Sequence, residues 1–229
     1  MQTNENSPNN PTAGIAAFFD FDNTLIHGDS QGLEIEFLVK RRQIAYRTLV
    51  PILIANFLFK RDLIRADRMV RTCLRIYRDL PADRPQTWIG ALYREMIAPR
   101  LSAAMADRVR AHRNSGHLPV ILSASLPHLI EPVEADLGIA HILCTELEVD
   151  ARGRFTGRTA GPVCVGQYKA DQAAHLAHKL NVDLAASYVY SDHHADLQLF
   201  NAVGHPVAVS PTPRLRHTAQ RRHWEIIAR

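Results

Sequence analysis

Three short apolar runs lie far apart in this chain, and each stops on side chains able to do chemistry. Ile15 to Phe19 runs into Asp20-Phe21-Asp22, and Leu118 to Leu122 runs into Ser123-Ala124-Ser125. Ser187 to Tyr190 runs into Ser191-Asp192, with Asp196 four residues on. Apolar runs of this length bounded by polar turns read as buried strands. Helical patterns separate them. Pro99 to Ser115 has Pro near its start and Gly116 beyond its end, as helix punctuation requires. Pro127 to Leu137 is followed by Gly138, and Gln167 to Leu180 and Ala195 to Ala202 are also helical. Strands alternating with helices predict an α/β chain with a Rossmann-like three-layer core, its parallel sheet covered on both faces. Residues 30–115 carry helical patterns and few strand signals, which predicts an α-helical cap inserted after the first strand. The expected organisation is a flexible N-terminal tail over 1–14, a core of 15–29 and 116–229, and the cap over 30–115. A hairpin is expected within Ile142 to Phe155, turning at Ala151-Arg152-Gly153-Arg154. A strand over Val207 to Val209, a basic helix and the segment Trp224 to Ile227 close the chain.

Ligands of open parallel sheets bind outside the carboxyl ends of the strands, so the three polar ends converge on one place. Carboxylates facing one point repel each other unless a cation lies between them, and carboxylate oxygens with room for water suit Mg²⁺. The Ser123 hydroxyl and a lysine can hold an anion there. Lys169, at the start of the helix that follows the hairpin, is the candidate. A metal, a phosphate clamp and a free carboxylate together point to phosphoryl transfer through an aspartyl-phosphate.

Asp20-Phe21-Asp22-Asn23-Thr24-Leu25 resembles the first motif, D-x-D-x-T-[LV], of the haloacid dehalogenase-like (HAD) phosphatases. Ser123 resembles the second motif, Lys169 the third, and Ser191-Asp192-His193-His194-Ala195-Asp196 the fourth. The likeness is to the phosphoserine-phosphatase-like subfamily IB, whose helical cap lies between motifs one and two. It implies a Mg²⁺-dependent phosphomonoester hydrolase acting on a small phosphorylated, phosphoserine-like metabolite. Asp20 would be the nucleophile. Asp22 would protonate the leaving alcohol and then activate water. Ser123 and Lys169 would bind phosphate oxygens. The metal would be held by Asp20, Asp22 through its carbonyl, and Asp192, with Asp196 at its edge. Asp29 stands where phosphoserine phosphatases tend to have a glutamate that touches the substrate's amine, and is one methylene shorter. The fourth motif departs from the family in having His193, followed by His194, where a small residue usually follows the first Asp. They are expected to cap or flank a helix start and point to solvent, with metal ligation the alternative. A phosphotransferase of the same family, or a lipid-phosphate or membrane-surface binding protein, is the alternative to a hydrolase.

Composition bounds the rest. The chain has 229 residues, 46% hydrophobic and 22% charged, with a net charge of +4. This is globular, and the excess of positive charge is too small to argue for nucleic acid. Cys73, Cys144 and Cys164 form no C-x-x-C pair, so a reducing, cytoplasmic setting is expected. The pair His141 and Cys144 is read as structural. Leu49 to Phe59 is too short to span a bilayer and reads as a buried helix, with peripheral membrane contact left open. Arg61, Arg65, Arg68, Arg71, Arg75 and Arg78 recur at helical spacing, and are expected on one side of a single helix in the cap.

Overall fold

The computed structural model describes residues 13–44, 46–61 and 63–228. Six parallel strands form the main sheet: β1 (Ala16–Phe19), β2 (Leu118–Leu122), β3 (His141–Leu143), β6 (Tyr188–Ser191), β7 (His205–Val209) and β8 (Glu225–Ile227), in the order β3-β2-β1-β6-β7-β8. The remaining two, β4 (Leu147–Val149) and β5 (Phe155–Thr159), pair antiparallel as a separate ribbon. The run expected as one hairpin arm is therefore divided. His141–Leu143 pairs with β2, and only Leu147–Val149 meets β5. The helices are α1 (Ser30–Lys40), α2 (Leu49–Lys60), α3 (Ala66–Cys73), α4 (Ile89–Leu92), α5 (Ala103–Asn114), α6 (Pro127–Leu137), α7 (Gln167–Leu180), α8 (Leu197–Ala202) and α9 (Pro213–Arg221).

Both faces of β1 are buried because the pleat sends alternate side chains to opposite layers. Ala17 and Phe19 join Ile121, Tyr190 and Val207 on one side. Ala16 and Phe18 join Val120, Val189 and Ala208 on the other. The chain leaves β1 for β2 on one flank and returns to β6 on the other. The carboxyl ends of these strands thus border a topological switch point, where such sheets bind ligands. Helix α5, which follows the mostly helical segment, packs against β2 and contributes Met105, Ala106 and Val109 to the sheet's core.

A buried carboxylate ties the segment between β1 and β2 to the sheet layers. Glu34 on α1 accepts hydrogen bonds from the Tyr77 hydroxyl and from Trp88 Nε1 (2.7 Å), and lies 3.0 Å from His128 Nε2 on α6. A buried charge is tolerated only with such partners, and removing it strands several donors. Glu34→Ala should therefore lower the free energy of unfolding by about 3–5 kcal/mol, read from urea melts. A loss within the usual surface range would mean that Tyr77, Trp88 and His128 find other partners.

Two expectations fail in the helical segment. The arginine series is not one helical face. Arg61 caps the end of α2, Arg65 stands in extended backbone at the start of α3, and Arg78 terminates the short turn Leu74–Tyr77. A turn between α2 and α3, closed by the Leu63 N–H donating to the Leu58 carbonyl (2.9 Å), breaks the periodicity. Nor is Leu49 to Phe59 a buried helix. Ile52 and Ala55 are buried, but Val50, Leu53, Ile54 and Phe57 face outward. No helix among the described residues is long and apolar enough to cross a membrane.

Candidate active site

β1 ends on Asp20, whose N–H donates to the Tyr190 carbonyl of β6 (2.9 Å). The chain then turns back through Phe21–Leu25. Asn23 adopts a left-handed conformation (φ 54°), which asparagine tolerates better than most residues. The turn leaves the Asp22 carboxylate beside two other elements. The Ser30 N–H at the start of α1 donates to it (2.7 Å), and so does the Ser125 hydroxyl beyond β2. The Ser30 and Ser125 hydroxyls are 2.8 Å apart. Ser123 is buried, and its oxygen accepts from the Ser125 N–H (3.1 Å).

Lys169, in the first turn of α7, is buried between two carboxylates, 2.9 Å from Asp20 and 2.8 Å from Asp196. The Ser191 hydroxyl lies 2.7 Å from the same oxygen of Asp196. Asp192 is fixed at its backbone, its carbonyl accepting from the Thr212 N–H (2.9 Å). All seven residues singled out in the sequence, Asp20, Asp22, Asp29, Ser123, Lys169, Asp192 and Asp196, line one cavity of about 190 Å³. It adjoins a larger cleft of about 660 Å³, the two sharing Phe59, Val165, His193 and Ala195.

The charges are under tension. Burial raises the pKa of Asp20, Lys169 opposes the rise, and Asp196 adds to it. Burial, with Asp29 nearby, lifts Asp22 to about 7 against its hydrogen bonds from Ser125 and Ser30. Burial, with the Asp20 and Asp196 charges, lifts Asp192 to about 8. Burial works against the Lys169 charge, but Asp196 and Asp20 outweigh it and hold the amine protonated. Anionic groups crowded like this are a receptive setting for a cation. Among the described residues no three His, Cys, Asp or Glu side chains converge as a ready-made metal cage. That donor set fits Mg²⁺, which takes one or two carboxylates and fills its other positions with water and substrate oxygens.

A family model for haloacid dehalogenase-like hydrolases matches residues 17–201. The chain belongs to that family. Among curated proteins it is 29% identical over 221 residues to a probable phosphatase of Mycobacterium tuberculosis, covering 95% of this chain and 76% of the relative. It is 30% identical to a protein named phosphoserine phosphatase from the same organism (92% and 70% covered). It is 28% identical to a histidinol-phosphatase of Neisseria meningitidis (92% and 97%). Among solved structures, a Bordetella pertussis protein of unknown function superposes with a TM-score of 0.83 at 26% identity, covering 94% of this chain and 99% of that one. A substrate-bound phosphoserine phosphatase shares the fold, with a TM-score of 0.70 at 17% identity and coverage of 93% and 92%.

Two residues beside this HAD hydrolase's cavity carry no motif signal: Ser30 and Ser125 orient Asp22. Ser191, the first residue of the fourth motif, orients Asp196. Ser125 lies two residues from the second-motif position Ser123, the one hint the sequence offers. Gln31 lines the cavity too, and its buried amide nitrogen has no hydrogen-bond partner among the described residues, a donor left for a ligand. Asp29 is exposed. It caps α1 by accepting from the Gly32 N–H (3.2 Å) while facing the cavity. His193 flanks a helix start, its Nδ1 accepting from the Ala195 N–H (3.1 Å), and stands half-buried near the Phe59 ring. His141 pairs within β3.

Proposed function

We propose that this HAD hydrolase is a Mg²⁺-dependent phosphomonoesterase acting through an aspartyl-phosphate on Asp20. Its substrate would be a small metabolite with an amine near the phosphate ester. The observation that carries the reading is the pairing of roles around one cavity. Asp20 is ion-paired with Lys169, and Asp22 beside it is raised to about 7. A carboxylate with that pKa is protonated often enough near neutrality to act as an acid and ionised often enough to act as a base.

Mg²⁺, held by Asp20, the Asp22 carbonyl and Asp192 with waters, would neutralise phosphoryl oxygens. Ser123 and Lys169 bind the phosphoryl group and orient it toward Asp20. A carboxylate oxygen of Asp20 bonds to phosphorus as the ester P–O bond breaks, and Asp22 gives its proton to the departing alkoxide. Water then enters, and Asp22 takes its proton. The new hydroxide attacks phosphorus, and the acyl–phosphate bond breaks to restore the Asp20 carboxylate. Ser30 and Ser125 keep Asp22 aimed through both steps. The Asp196 carboxylate, engaged by Lys169 and Ser191, positions the lysine. The helical segment after β1 acts as the cap over this cavity.

Phosphoserine and histidinol phosphate, substrates in the names of two relatives, share a primary amine one carbon from the phosphorylated CH₂. Asp29 supplies a carboxylate to meet it, and Gln31 an unused donor for a polar group on the same molecule. The test is phosphate release from phosphoserine, histidinol phosphate, sugar phosphates and p-nitrophenyl phosphate, with Mg²⁺ and with EDTA. Metal-dependent release with preference for the amines is expected. Asp29→Asn should raise KM for the amine substrates roughly ten-fold or more, the value of a charged hydrogen bond, and leave KM for p-nitrophenyl phosphate unchanged. Equal losses on every substrate would remove the amine contact. Phosphoryl transfer to an added alcohol without release to water would replace the hydrolase with a transferase.

A further inference from the structure

Helix α2 is apolar on two sides and, among the described residues, has protein behind only one of them. Ile52 and Ala55 are buried, and the helix packs on α3. On the opposite side Val50, Leu53, Ile54 and Phe57 are 54%, 63%, 55% and 53% exposed, and Tyr46 just before the helix is 73% exposed. The four on α2 stand at i, i+3, i+4 and i+7, and at helical spacing they form one stripe about 100° wide. Apolar residues scattered singly on a surface are ordinary, but a contiguous stripe marks a contact surface.

The border of the stripe says what kind of contact. Residues 40–61 include Lys40, Arg41, Arg42, Arg47, Lys60 and Arg61, and contain neither Asp nor Glu. Lys40 and Arg41 pair with Glu36 and Glu95. Arg47 and Arg61, exposed at the two ends of the stripe, have no ion-pair partner among the described residues. The Arg61 guanidinium lies over the Phe57 ring, 4.2 Å from its centroid, so charge and apolar surface are presented together. Asp62 follows Arg61 directly. An apolar helix face with cationic ends and no acid between them matches the interface of an anionic bilayer, with side chains entering the acyl boundary and guanidinium groups meeting headgroup phosphates. A second copy of the chain fits less well. Antiparallel packing of two such stripes would set the Arg47 end of one against the Arg61 end of the other, like charge on like. The first twelve residues, MQTNENSPNNPT, hold no large apolar side chain beyond Met1 to cover the face.

We infer that the outward face of α2 docks this enzyme on an anionic membrane surface, with the helix lying in the headgroup plane. Phe59 at the end of α2 and Leu63 beyond it line the cleft that adjoins the catalytic cavity, so docking brings the mouth of the site beside the bilayer. The inference stands apart from the phosphatase reading, because binding and turnover are measured separately.

The test is co-sedimentation of the full chain with phosphatidylcholine vesicles and with vesicles containing phosphatidylglycerol, at low and high salt. Partitioning should be at least roughly ten-fold stronger on the anionic vesicles and should weaken with salt. Leu53→Glu with Ile54→Glu should abolish it. Arg47→Gln with Arg61→Gln should weaken it roughly thirty-fold, about five-fold per charge removed. Turnover of soluble substrates should stay unchanged in both double variants. If the glutamate pair fails to fold, the exposed arginine pair still decides. Absence of binding to anionic vesicles overturns the inference, as does equal binding by a folded glutamate variant. A concentration-dependent dimer that the same variant dissolves would assign the face to a second copy instead.

Discussion

Asp20→Asn should abolish turnover and leave the fold standing. The carboxylate oxygen that forms the bond to phosphorus is replaced by an amide, which is a poor nucleophile. Loss of a covalent nucleophile costs roughly four to six orders of magnitude. The structural contacts are mostly kept, because an amide oxygen still accepts from the Phe21 N–H and from Lys169. Two opposing electrostatic changes follow. Lys169 loses one of its two anions but keeps Asp196. Asp192 loses the Asp20 charge that helps to hold its pKa up. The melting temperature should therefore move by only a few degrees, for a net change near 1 kcal/mol. Phosphate release, a circular-dichroism melt and the intact mass after an acid quench check the three parts. The wild type should trap one added phosphoryl group and the variant none. Undiminished hydrolysis by the variant would remove Asp20 from the mechanism. A collapsed melt would show instead that the pair with Lys169 is a structural requirement.

The core was legible because strand and site share one signal. An apolar run must end where the sheet ends, and sheets of this topology bind ligands outside that end. That logic located Asp20, Ser123 and Asp192, and the helix start located Lys169. What lay outside it depends on contacts between distant segments. Ser30 and Ser125 meet only because α1 begins beside the turn after β2, and no local pattern distinguishes them from other serines. Glu34 resembles a solvated helix residue until Tyr77, Trp88 and His128 close around it. The arginine series failed because periodicity carries no information about a turn set by a single backbone bond, here from Leu63 to Leu58. The sequence of α2 predicts burial because hydrophobicity reports a preference for leaving water, not which neighbour provides the shelter. The strand run after residue 141 divided because a β-strand's partner is chosen by tertiary packing.

Removing divalent metal should stop the reaction, and the way metal steadies the fold should depend on pH in a defined direction. Burial and mutual repulsion raise Asp20, and raise Asp22 and Asp192 to about 7 and about 8, from an ordinary value of 3.8. Groups raised in the folded state favour folding while they are protonated and cost stability as they are forced to ionise. Without metal the protein should therefore lose stability as pH rises from about 4 to about 8. Mg²⁺ acts against that loss at Asp20 and Asp192, where it competes with protons for the same carboxylate oxygens. At metal one hundred times its dissociation constant the stabilisation is about 2.7 kcal/mol, or roughly 5–11 °C in melting temperature for a chain of this size. The shift should be largest near pH 8 and small near pH 5.5, where bound protons already relieve the repulsion. EDTA should abolish phosphate release at either pH, and added Mg²⁺ should restore it. A Mg²⁺-induced shift that is equal at both pH values would mean that the ion binds away from Asp20 and Asp192. Full activity in EDTA would mean that Lys169 and Ser123 neutralise the phosphoryl group unaided. Lys169→Met separates those outcomes. It removes the cation between Asp20 and Asp196 and should strengthen the dependence on metal, whereas a chain relying on lysine alone would become inactive at any metal concentration.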